Sequence, residues 1–386
     1  MDKFEDFFKD KKDKEATSCS TFPWDIICKI IAFADLPTRR TLALLNRDCN
    51  FETNKYSWKK LRINNKKEKI PVDKALHRAA IRISRDGIRA KNVRSLEIEL
   101  VGKPSRFRRV DMGKTMRELC QALQCLTSLR VLYIRMEFFH EELARLMSTY
   151  EFDFKLAFLA TTIYVRDGFH GFMASHPEIR SFSQISKSQH VSRRVDVHRN
   201  AMAIDTDLLP NLCELWTTAD VLPMAVTNRP VVSLGTHIFS HESTIKFLTS
   251  ARLSAANISH VALSIKVDRG ETFYETLFHG LARITTLNSV HIDLWSSADT
   301  VDHTLLPSVL LPLSLFPSLQ KLEFGGNETL NLLRDPAPFS CETLRIVDIY
   351  DYAAHGGRHF ERTSTKSPWI ETTASIVRSV GSRFYT

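Results

Sequence analysis

Leu126-Thr-Ser-Leu-Arg-Val-Leu-Tyr-Ile-Arg-Met136 places apolar side chains at 126, 129, 132 and 134. The same form, L-x-x-L-x-L with apolar substitutes, returns in VRSLEIEL from Val93, LPNLCELWTT from Leu209, ISHVALSIKV from Ile258, TTLNSVHIDL from Thr285, FPSLQKLEFGG from Phe316 and CETLRIVDIY from Cys341. The alternation closing each segment predicts a short strand with one face inward. The first apolar positions of four units, Ile258, Leu287, Leu319 and Leu344, are 29, 32 and 25 residues apart. Between units, MGKTMRELCQALQCL from Met112 and ETFYETLFHGLARI from Glu271 carry apolar residues at helical spacing. One strand and one helix per unit predict an α/β array in which each unit buries its apolar face against its neighbours.

Outward from this pattern the chain is less regular. Fifty residues separate Leu129 from Ile179, room for one degenerate unit around Leu159 to Val165. The polar, basic segment from Lys187 to Asn200 reads as an exposed loop. At the far end, Ile370, Ile376, Val377 and Val380 predict a last helix that caps the array. Residues 1–20 are too charged to bury much and read as a mobile arm.

Residues 21–63 have a different character. Pro23 suits the first turn of a helix, with Asp25 near its positive end. Ile26, Ile27, Ile30 and Ile31 follow at helical spacing. Asp35-Leu36-Pro37-Thr38 breaks that helix, and Thr38 is the expected cap of the next, which carries Leu42, Leu44, Leu45 and Cys49. Trp58 and Leu61 close the segment. Three helices this short need another surface to cover their apolar face.

At 43% apolar and 25% charged residues over 386 positions, the composition is that of a globular chain with a real core. The first twenty residues lack the apolar stretch of a secretory signal, and no window is apolar enough to span a bilayer. With seven scattered cysteines, an intracellular, cytoplasmic or nuclear chain with reduced thiols is expected. The net charge of +9 is concentrated: Lys59 to Arg109 holds 17 Lys or Arg against five acids. That run, 59–109, offers a second reading of the chain as a repeat scaffold for nucleic acid or an acidic partner. Only Phe107 follows Leu61 as an interleaved aromatic, which argues against base stacking.

The residues Phe22-Pro23-Trp24-Asp25-Ile26-Ile27, Ile30-Ile31, Leu36, Leu42 to Arg47 and Trp58-Lys59-Lys60-Leu61 resemble the F-box pattern. The whole chain looks like fungal F-box proteins with irregular leucine-rich repeats. FHGFMASHPEIRSF from Phe169 and LLPNLCELWTTADVLPMAVTNRPVVSL from Leu208 fit the same likeness. Phe22 stands where the family has Leu, Asp25 where it has Glu, and Asp48-Cys49-Asn50 where a Trp is common. The resemblance implies an α/β chain with a short three-helix F-box-like module at 21–63, a basic helical linker at 64–92, a leucine-rich-repeat-like solenoid at 93–355 and a cap or tail at 356–386. It further implies a substrate receptor of an SCF-type ubiquitin ligase. Phe22, Pro23, Ile26, Ile27, Ile30, Leu36, Leu42 and Leu45 would then bind a Skp-type adaptor and, through it, a cullin. The repeats would hold a protein target. Arg135, Trp216, Lys266, Trp295 and Tyr350, expected to face solvent, are the candidates for touching it.

Catalytic motifs are not found. The sequence has no G-x-S-x-G, no G-x-x-x-x-G-K-[ST] and no G-x-G-x-x-G. His237 and His241 have a zinc-like spacing but no intervening Glu of the H-E-x-x-H type. Cys120 and Cys125 lie in an apolar stripe and read as core. The expectation is a non-enzymatic chain without cofactor, metal or membrane anchor.

Overall fold

The computed structural model describes residues 23–65, 70–101, 112–136, 140–163, 167–184, 207–266, 271–295, 314–326, 341–351, 356–364 and 367–372. The expected arm with Phe22, the loop at 187–200 and positions 376, 377 and 380 of the expected last helix lie outside them. The chain divides into two compact units, Met1–Lys59 and Lys60–Thr386.

The second unit is built on one thirteen-stranded sheet among the described residues, and its strands follow chain order. They are β1 Lys60–Asn64, β2 Ser95–Leu100, β3 Val131–Met136, β4 Phe158–Thr161, β5 Ser181–Gln184, β6 Glu214–Trp216, β7 Ser233–Ile238, β8 His260–Lys266, β9 Ser289–Trp295, β10 Lys321–Gly326, β11 Ile346–Asp351, β12 Gly356–Glu361 and β13 Ile370–Thr372. β1 through β11 are parallel, β12 and β13 antiparallel, and the sheet does not close into a barrel.

Neighbouring parallel strands pair without stagger, so equivalent residues form rows across the sheet. The second apolar position of the repeated form gives one such row: Leu96, Leu132, Leu159, Phe182, Leu215 and Leu234, all buried. The first gives another, including Val93, Leu129, Ile179, Leu212, Leu287 and Leu344, each at most 1% exposed. Burying one such side chain contributes about 1.5–3 kcal/mol. The backbone between these rows is also continuous. The Arg94 carbonyl accepts the N–H groups of Arg130 and Val131, the Arg130 carbonyl those of Ala157 and Phe158, and the pattern repeats through Cys213, Ser259 and Gln320. L-x-x-L-x-L is thus the side-chain imprint of stacked, hydrogen-bonded turns leading into strands.

Helices line the buried side: α4 Val72–Arg85, α5 Met112–Gln124, α6 His140–Thr149, α7 Asp167–Ala174, α8 Leu222–Val226, α9 His241–Ala251 and α10 Glu271–Ala282. In α4, Val72, Ala75, Leu76, Ala79, Ala80 and Ile83 are buried, and the helix packs beside α5. The expected linker at 64–92 is therefore replaced by a core helix of the sheet unit. Half of its apolar stripe is alanine, and the density of basic residues obscures it in the sequence. The sheet also starts earlier than Val93. Leu61 and Ile63 point inward from β1, so Leu61 belongs to the sheet and does not close the helical segment.

The end of the sheet reverses direction, and Ile370 lies in β13 instead of a terminal helix. The β-branched residues Ile370 and Thr372 favour a strand after Pro368. Arg362 anchors this hairpin: Nε donates to the Leu344 carbonyl (2.7 Å), Nη2 to that of Cys341 (2.5 Å), and the guanidinium lies 4.6 Å from the Trp369 ring centre.

The first unit holds α1 Trp24–Phe33, α2 Leu36–Leu42 and α3 Arg47–Ser57. Asp35, not Thr38, caps α2: its carboxylate accepts the Thr38 N–H at 2.9 Å. Asn46 does the same for α3 through the Cys49 N–H at 2.7 Å. Arg39 of α2 ties the helices together. Its Nε and Nη2 donate to the carbonyls of Ile31 (2.9 Å) and Ala32 (2.8 Å) at the end of α1, and its guanidinium lies 5.3 Å from the Tyr56 ring centre of α3.

Candidate binding surfaces

The helical unit leaves much of its apolar surface in solvent. A ten-residue helix with four isoleucines has only Ile31 buried. Ile26 and Ile30, one turn apart on α1, are 42% and 46% exposed, and Ile27 is half-buried. Pro23 is exposed at the N-terminus of α1, Leu42 is half-buried, and Leu45 is 65% exposed. Leu36 opens α2. Trp24, Phe33, Leu44 and Phe51 are exposed as well, Phe33 at 91%. Trp24, Phe33, Leu44 and Phe51 lie outside the expected adaptor-binding set; their size in a short helical segment is the available sequence signal. Cys28 has its thiol pKa raised, first by partial desolvation and then by the carboxylate of Glu52.

The sheet unit presents a different surface on the strand face opposite the buried rows. Counted along the paired strands, Arg135, Trp216, Lys266, Trp295 and Tyr350 all occupy alternate positions on this face, and Lys266 pairs with Trp295 in register. Trp216, however, is 2% exposed, which corrects the expectation that it faces solvent. Its indole lies across Gly235, where a Cβ would stand 2.0 Å from Cε3. The edge of His237 meets the indole at 5.4 Å, and Phe239 stacks on His237 at 5.7 Å. Glycine at 235 is required by this close approach.

Charge is distributed toward the two ends of this face. At the first end, Arg62 contacts Glu97 (3.0 Å) and Glu99 (3.1 Å), Lys60 contacts Glu97 (3.5 Å), and Arg135 contacts Glu99 (3.5 Å). Arg135 is thus engaged within the fold. At the other end a chain of alternating sign crosses β9 to β12. His291 lies 3.0 Å from Asp293 and 2.8 Å from Glu323; Lys321 lies 2.5 Å from Glu323 and 3.2 Å from Asp348; His359 joins Asp348 and, at 2.7 Å, Glu361. Burial opposes a charge on His291, but Asp293 and Glu323 outweigh it and raise its pKa to about 10. Burial likewise opposes the charges of Lys321 and His359, and their carboxylate partners raise both pKa values. Tyr350 is pushed far up by burial and by Asp348, Glu323 and Asp293. This ladder couples the antiparallel hairpin to the parallel strands.

Other titratable groups fall into structural places. His176 occupies the turn position held by Leu126, Leu209, Phe316 and Cys341 in other units, where an apolar residue is required. It is buried between Phe154, stacked at 5.1 Å, and Phe172, edge-on at 4.6 Å, and desolvation lowers its pKa to about 4. His237 stands on β7, whereas His241 opens α9, so their spacing does not place them on one helix. Desolvation also lowers the His237 pKa to about 4. Cys120 is buried in α5 with its thiol pushed up to about 12 by desolvation, the inert environment of a core cysteine, and Cys125 is half-buried. Among the described residues no group of three or more His, Cys, Asp or Glu side chains could hold a metal ion, and no helix is long and apolar enough to cross a membrane.

No protein-family model matches the chain, and no curated protein matches it significantly.

Proposed function

We propose that this chain is a substrate-recruiting subunit of an SCF-type ubiquitin ligase, with the helices between Trp24 and Ser57 docking a Skp-type adaptor that joins a cullin. The observation that carries the reading is the exposure of Trp24, Ile26, Ile30, Phe33, Leu44, Leu45 and Phe51 on a unit whose second and third helices have side-chain N-caps and whose helices are tied by Arg39. Isolated apolar residues on a surface are ordinary, but a concentration of large ones on a short helical segment marks a surface made to be covered. Helices offering isoleucines one turn apart, with aromatic residues beside them, provide anchors for a partner's apolar groove.

In this reading the sheet unit is an irregular leucine-rich-repeat solenoid. Chain-ordered parallel strands, zero stagger and a turn ladder entering each strand support it. The unit serves as a scaffold for a protein target on the face that carries Tyr350, Lys266 and Trp295.

The test is co-purification of the full chain with a Skp-type adaptor, wild type against Ile26→Asp combined with Ile30→Asp. Binding lost in the variant supports the assignment. Failure of the wild-type chain to bind the adaptor, or undiminished binding by the variant, overturns it.

A further inference from the structure

The last turn of the repeated form differs from earlier ones in what stands opposite it. At successive turns one carbonyl accepts the N–H groups that open the next strand, and arginine holds that position at Arg94, Arg130, Arg180 and Arg345. Arg94, Arg130 and Arg180 are exposed, and a parallel strand follows beside each. After Arg345 the chain reverses. Its carbonyl accepts the N–H of Arg362 at 3.0 Å, and the pairing of Ile346 with Glu361 runs directly into this contact. In an antiparallel pair, residues directly opposite carry their side chains on the same face, so Arg345 and Arg362 stand together.

The two guanidiniums converge on one turn. Arg362 donates from Nε to the Leu344 carbonyl at 2.7 Å and from Nη2 to that of Cys341 at 2.5 Å, while Arg345 donates from Nη1 to Leu344 at 3.1 Å and to Glu342 at 2.9 Å. Because both reach the same Leu344 oxygen, Nε of Arg362 and Nη1 of Arg345 lie within about 6 Å of each other. Trp369, its ring centre 4.6 Å from the Arg362 guanidinium, helps to fix that group in place. Burial, and then the charge of Arg345, lower the Arg362 pKa.

Like charges directly opposite on paired strands repel. Here the partners of both arginines are carbonyls and a ring, and among the described residues neither forms an ion pair. The carboxylates nearest in the hairpin are otherwise engaged, Glu361 with His359 and Glu371 with Arg358. A guanidinium has five N–H donors. The carbonyls take at most two from each, and both side chains are only half-buried. At least three donors on each arginine are left for a ligand.

We propose that Arg345 and Arg362 form a binding site for a phosphate dianion, either free phosphate or a phosphomonoester. Its two charges offset both guanidiniums, and its oxygens suit the planar fork of arginine. A carboxylate has one charge and two oxygens, enough for one guanidinium. The site lies wholly within Lys60–Thr386 and does not depend on the adaptor assignment.

Isothermal titration calorimetry of the full chain with inorganic phosphate, at pH 7.5 and low salt in a phosphate-free buffer, tests this. Wild type should bind saturably. Arg345→Gln should weaken binding by about tenfold or more. Arg180→Gln, at the equivalent turn with no arginine opposite, should stay within about twofold of wild type. Far-UV circular dichroism confirms folding, and Arg345→Lys, which keeps the charge but loses the fork, replaces Arg345→Gln if that variant does not fold, with at least about threefold weakening expected. Titration with N-acetyl-O-phosphoserine amide separates the two sources: binding comparable to that of phosphate supports a monoester ligand, and binding of inorganic phosphate alone supports the free ion. No saturable binding of phosphate by wild type, undiminished binding by the Arg345 variant, equal loss in Arg180→Gln, or acetate bound as tightly as phosphate overturns the proposal.

Discussion

Leucines and isoleucines do opposite things in the two units. In the sheet unit Leu96, Leu132 and Leu234 are fully buried, each in a row with its counterparts on neighbouring strands. In the helical unit Ile26, Ile30, Leu44 and Leu45 stand in solvent. Apolar residues that repeat along a chain can bury one another by stacking, whereas those of a single short helical segment have no following copy to pack against. On the proposed function, exposure of one group and burial of the other is the physical contrast between a binding surface and a scaffold.

The sharpest way to break this contrast is to remove the cation from the buried ladder of the sheet unit. His291→Leu leaves Asp293 and Glu323 without their shared partner, and a loss of about 3–5 kcal/mol is expected in urea unfolding. The wild-type contribution should be fully present below about pH 6.5, the unfolded value, and fade as pH rises through about 10, the folded one. Leu132→Ala, in the inner row, should cost about 2–5 kcal/mol by the same measurement. Gly235→Ala should cost about 1–3 kcal/mol, because the new Cβ displaces the Trp216 indole; a red shift of tryptophan emission would report that displacement.

His176 sharpens the comparison from the opposite sign. Its folded pKa of about 4 lies below the unfolded value near 6.5, so its neutral form favours folding above about pH 6.5 and stability falls as pH drops toward 4. At pH 5 this amounts to about 2 kcal/mol. In His176→Leu the difference in unfolding free energy between pH 7.5 and pH 5 should shrink by about that amount; an unchanged difference would mean that His176 is already solvated in the folded chain. The smallest expected effect belongs to the helical unit. Ile26→Asp with Ile30→Asp should alter stability by no more than about 0.5 kcal/mol per substitution, because the removed side chains are exposed. A large loss there would assign those residues to a core.

Much of the sheet was legible because its rows require apolar residues at fixed intervals. Leu129, Leu132 and Ile134 announce their places. The units entered through His176 and Arg229 were harder to read, since buried polar side chains stand at their turns. Arg229 is 1% exposed and donates from Nε to the Leu208 carbonyl at 2.9 Å and from Nη1 to those of Met224 and Ala225. Such a side chain satisfies turns through contacts distant in sequence, and no local pattern reveals it. The helix α4 was obscured for a simpler reason: alanines bury a helix as well as leucines when the neighbouring helix packs close.

On the candidate surfaces, the isoleucine stripe of α1 and the basic bias of 59–109 were visible in the sequence. Which isoleucines reach solvent was not, because a periodic stripe has the same spacing whether it is covered or bare. The strand face was likewise half legible. Alternation alone assigned Arg135, Trp216, Lys266, Trp295 and Tyr350 to one side of the sheet, since a strand's side chains alternate by covalent geometry. Only the tertiary structure folded the Trp216 ring over Gly235, paired Arg135 with Glu99 and ran the ion ladder from Asp293 to Glu361. Those partners come from different strands, and what a charged or aromatic side chain does is decided by what stands across from it.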